Sequence, residues 1–278
     1  MVNTRGLVVS LPMKISGTTL EINSIELDPQ EIRTSLLFWD KLDFPEAASL
    51  RIGLTADSQF LASAGVLQRT RISTPFISNV SELVLDAHLA AFRALDQEEP
   101  GQWSLAAGDK AISFPKSEME VGRGVLVRLY NAIPVPDKDV ALADLLAFRD
   151  KRRSELLAVR HHIEAVYQKI ITAGDGPLAL NSEIGALEAA IADHIRISKE
   201  SRFKLRLSDL SANLNLVPAA VVGFTSLTMG MPLLQSLIAG GAAASMSIDV
   251  GAALKGRQAV SNPFRYVTSY HKDVFAGP

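Results

Sequence analysis

The chain has 278 residues, a formal net charge of −2 and no cysteine. Such a length allows one large domain or two ordinary ones with a core that needs no staples. The missing thiols exclude cysteine nucleophiles, Cys-ligated zinc and a disulfide framework, and the near-neutral charge supplies no whole-molecule field for nucleic acid.

From the N-terminus, Leu7-Val8-Val9 and Thr19-Leu20-Glu21-Ile22 read as two short strands of an opening hairpin, turning at Ser16-Gly17. The apolar run before Pro12 is too short for a signal-peptide core, which points to a cytoplasmic protein. Asp28-Pro29 supplies an N-cap and a first-turn proline for a helix burying Ile32, Leu36, Leu37 and Trp39. Leu50 to Leu54 is a strand candidate, Asp57 opens a short helix, and Val66 to Ser73 alternates like a strand. Ser78-Asn79 caps a helix with Leu83, Ala87, Ala90, Ala91 and Ala94 on one stripe, ended by Pro100-Gly101. Trp103 to Ala106 and Val125 to Tyr130 are predicted strands, the second starting from Gly122 and Gly124. The stiff Pro134-Val135-Pro136 segment marks the end of an N-terminal mixed α/β domain.

Asp139 to Ala173 reads as one long helix with Leu142, Leu145, Leu156, Val159, Ile163, Val166 and Ile170 at helical steps. After Gly174-Asp175-Gly176-Pro177, a second helix capped by Asn181 or Ser182 carries Ile184, Leu187, Ile191 and Ile195, so the two form an antiparallel pair. Phe203, Leu205 and Leu207 then alternate with basic residues. Leu210 to Ile248 contains no charged residue, and Gly230-Met231-Pro232 interrupts it, which predicts an apolar helical hairpin. Asn262-Pro263 opens a last helix bearing Phe264, Val267, Tyr270 and Val274.

Arg5 to Val9, Leu36 to Pro45, Leu145 to Arg153 and Asn262 to Tyr266 together resemble an uncharacterised bacterial family, domain of unknown function 6236. The resemblance implies a bacterial protein and transfers no activity, cofactor or catalytic residue.

Chemistry-bearing motifs fail on spacing. Gly251 to Gln258 has the glycine interval of a phosphate loop, but Arg257 and Gln258 stand where lysine and a magnesium-binding hydroxyl are needed. His161 and His162 are adjacent, so a helix points them about 100° apart and they cannot share an ion from one face; His194 on the next helix could meet them as an interhelical polar cluster. Arg149, Arg152, Arg153 and Arg160, with Lys151, make a candidate basic interaction surface, which the interleaved Asp150, Glu155 and Glu164 turn into a solvated, salt-bridged face. No Gly-x-Ser-x-Gly elbow arms a serine.

The sequence therefore predicts an α+β protein in three parts: a mixed α/β domain at 1–136, the antiparallel helical pair at 137–209, and at 210–278 the apolar hairpin with a C-terminal helix packed on the rest. The expected function is non-catalytic binding of another protein, or self-association, within a multi-component system, with no catalytic residue, metal or cofactor and no nucleic-acid partner. Two alternatives stand beside it: a pore-forming effector inserting 210–254 into a membrane, and a hydrolase or nuclease built from scattered carboxylates.

Overall fold

The computed structural model describes residues 4–16, 19–22, 24, 26–47, 52–73, 79–106, 122–197 and 262–275. Its elements are β1 (Gly6–Val8), β2 (Met13–Ser16), β3 (Thr19–Ile22), α1 (Pro29–Phe38), β4 (Lys41–Asp43), β5 (Glu46–Ala47), α2 (Ala56–Ser63), β6 (Leu67–Gln68), β7 (Arg71–Ile72), α3 (Val80–Glu98) and β8 (Trp103–Leu105). They continue with α4 (Gly124–Asn131), α5 (Leu142–Lys151), α6 (Arg153–Ile171), α7 (Gly176–Ile197), α8 (Arg265–Tyr270) and a π-helical turn (His271–Phe275). The fold is α+β, with a small parallel sheet and predominant helix. The apolar stretch 210–248, the glycine pair Gly251 and Gly256, and Phe203 to Leu207 lie outside the described residues.

The sheet runs in the order β6-β4-β1-β8, every neighbour parallel, with Leu7 beside Leu42 and Ser104. Leu7-Val8-Val9 is thus an inner strand of this sheet instead of half a hairpin; the hairpin is β2 with β3, closing Ser16 onto Thr19. Parallel pairing needs a helical crossover, and α1 and α2 supply two crossovers that build outward from β1 to β6. The third, through α3, returns past β1 to place β8 on its other side. Because such crossovers are right-handed, reversing direction moves α3 to the opposite face from α1. The pocket wall agrees: Val9, Leu42 and Ala106 point to α1, so Val8, Asp43 and Leu105, one residue away along each strand, point to the α3 side.

Local signals set most helix starts. The Asp28 carboxylate accepts from Glu31 N at 2.8 Å with Pro29 behind it, Thr55 caps α2, and Asn79 accepts from Ser81 N at 2.9 Å. Asp175 accepts from Leu178 N at 3.0 Å, so α7 begins at Gly176, earlier than Asn181. Leu156, Val159, Ile163 and Ile170 on α6 are buried, as are Leu180, Ile184, Leu187 and Ile191 on α7, and the short turn at 172–175 folds the two helices back on each other.

Three expectations change. Val125 to Tyr130 is helical: Arg123 takes a left-handed turn at φ 58°, held by its own bonds to Trp103 O (2.6 Å) and Asp96, and Leu126, Val127, Leu129 and Tyr130 then bury one helical face. The long helix breaks at Arg152, whose φ −104° and ψ 24° leave the helical basin, letting α5 face α1 while α6 faces α4 and α7. Finally, Ile133 to Val135 is buried, and Pro134 O accepts from Tyr270 Oη at 2.7 Å. Residues 1–213 and 263–278 accordingly form one compact unit across the Pro134-Val135-Pro136 segment.

Candidate functional site

The densest polar chemistry in the described residues lies at the amino edge of the sheet, around the end of α1. A helix leaves its last carbonyls without internal partners. Here distant side chains take them. Arg149 donates to Leu36 O (3.3 Å) and Trp39 O (2.6 Å), Tyr266 Oη to Leu37 O (2.8 Å), and Arg160 to Phe38 O (3.1 and 2.7 Å). Cations at this end also complement the helix dipole. Asp40, next in the chain, accepts from Arg160 at 2.7 Å, from Arg153, and from the Arg5 backbone at 2.8 Å. Burial alone would raise its carboxyl, but these donors override that and hold it below the usual carboxylate range. Arg5 in turn pairs with Glu164 at 2.6 Å.

Of the four arginines of the expected basic surface, Arg149 and Arg160 are turned inward, while Arg152 and Arg153 stay partly exposed in ion pairs. Arg149 is 6% exposed and Arg160 0%. Arg153 serves Asp40, and Arg152 bridges Glu155 (3.0 Å) and Asp273 (2.6 Å). Salt bridges do interleave with them, as the sequence pattern suggests, yet Glu155 is spent on tying in the C-terminal helix, accepting from Ser269 Oγ at 2.7 Å. A buried guanidinium that caps carbonyls cannot also greet a partner, so Arg149 and Arg160 are corrected from surface to scaffold.

Of the histidines, His161 is exposed while His162 sets its ring edge against Phe264 at 5.1 Å; burial lowers the pKa of His162. His194 is half-buried on α7. Among the described residues no group of three or more His, Asp or Glu side chains could hold a metal ion.

The carboxyl edge of the sheet carries groups that the motif reading missed. Asp43 ends β4 at 0% exposure; its Oδ1 accepts from Thr70 N (2.9 Å) and Thr70 Oγ1 (2.7 Å), while no hydrogen bond of good geometry reaches Oδ2. Burial pushes its carboxyl up to about 6, the Thr70 bonds pulling partly back. Arg69 lies over the Phe44 ring at 5.0 Å and donates to Ile52 O at 2.7 Å. On α3, His88 is 4% exposed with Nδ1 at 2.7 Å from Val84 O, and burial drives its pKa down to about 4, so it is neutral at pH 7. A small pocket also opens here on the α1 side, walled by Val9, Leu42 and Ala106, with Ser10, Ser35, Asp28 and Glu31 as its polar groups.

Asp43 gives a testable sign. A carboxyl raised from 3.8 to about 6 is protonated in both states well below pH 4; as pH rises from about 4 to 6 the unfolded state ionises while the folded state keeps its proton, so stability is lost across that window and the loss is complete above it. Asp43→Asn keeps an acceptor for Thr70 and removes that loss. The variant is expected to exceed the wild type by on the order of 2 kcal/mol above pH 7 and to converge with it near pH 4. Urea melts across this range check it; His88 and His271, both lowered to about 4 by burial, lose stability as pH falls from 6.5 toward 4 in either protein and cancel in the comparison.

No curated protein and no solved structure matches this chain. The sequence model of the family of unknown function DUF6236 matches residues 8–274, nearly the whole length, and the chain belongs to that family.

Proposed function

We propose that this protein acts in the cytoplasm by binding another protein and performs no chemistry of its own. The observation that carries this reading is the tip of the α6–α7 hairpin, where Ile171 is 51% and Leu178 66% exposed on either side of one short turn. Large apolar side chains exposed at a surface favour contact with a partner. The disposition of the buried charges supports the same reading, since Arg149, Arg160, Asp40 and Glu155 hold helices together instead of converging on a cavity.

The test uses the full chain as bait. Leu178→Asp and Ile171→Asp are expected to leave the thermal melt within about 1 °C, because exposed positions tolerate charge. Proteins captured by the wild type from the native host should be lost with both variants. Identical capture by wild type and variants would remove the tip as the contact.

The uncharged stretch 210–248 favours one second reading, a membrane-inserting effector using residues 210–254. Among the described residues no helix is long and apolar enough to cross a membrane, and this stretch lies outside them. Fractionation separates the readings: a binding protein leaves with the soluble fraction, whereas carbonate-resistant membrane association, or liposome leakage abolished by Ala239→Lys, would support insertion.

A further inference from the structure

We draw no further inference here: the strongest candidate, the outer face of α7, where Leu178, Ser182, Gly185, Ala186 and Ala189 stand exposed with no charged side chain among them, is an uncharged stripe of mostly small residues, and nothing in the structure shows what covers it.

Discussion

Arg160→Ala should destabilise the protein by about 4 kcal/mol, the cost of leaving buried partners of a charge unpaired. The side chain has no exposed surface, and it donates twice to Phe38 O and once to Asp40. Removing it strips the carbonyl of its donors inside the core and leaves Asp40 with Arg153 and the Arg5 backbone alone. Arg160→Lys keeps the charge but cannot fork to two acceptors, so it should fall between wild type and alanine. Urea unfolding monitored by circular dichroism gives the ranking. A wild-type midpoint in Arg160→Ala would mean that the end of α1 is capped by something else.

Gly6→Val should cost about 3 kcal/mol or more, through overpacking instead of lost contacts. In the parallel register Gly6 stands beside Trp103, and a Cβ built on Gly6 comes within 2.4 Å of the indole ring. Neither side can yield easily: Gly6 is in the inner strand β1, while Trp103 is 1% exposed with Nε1 bonded to Glu99 at 2.9 Å. Trimming the ring should relieve the clash, so Trp103→Leu combined with Gly6→Val should be more stable than the sum of the two single losses predicts. Strict additivity in that double-mutant cycle would show that valine at this position harms the fold for some other reason.

Comparing these two sites explains what the sequence made legible. Asp28-Pro29, Asn79 and Gly174 to Pro177 act within a few residues, so capping chemistry placed α1, α3 and the α6–α7 turn close to their observed positions. Strand identity is non-local: Leu7 to Val9 is a plausible hairpin arm until its partners, Leu42 and Ser104, are known. Val125 to Tyr130 has strand-like composition, and only packing against distant helices reverses that preference. Arg149 and Arg160 were read as solvated because acidic neighbours sit at helical spacing, while their true partners lie more than a hundred residues away in α1 and Asp40. The family resemblance needed only short segments and now extends over residues 8–274. The pocket residues Ser10 and Ser35 carried no motif, since a serine becomes notable only once the topology shows where it stands.

Tyr266 and Tyr270 also set when folding can be completed. Their rings pack at 6.2 Å from Phe38, and Tyr266 closes a hydrogen bond to Leu37, 229 residues upstream. A chain emerging from the ribosome can form β1, α1 and β4 early, but the aromatic layer over α1 stays incomplete until residues 264–275 have left the tunnel. During that interval Phe38 and its neighbours lack their aromatic cover, the kind of transiently exposed apolar surface that favours misassembly. Contacts of such sequence separation slow the final step, so the helix at Arg265–Tyr270 works as a latch that closes once residues 264–275 are free to fold.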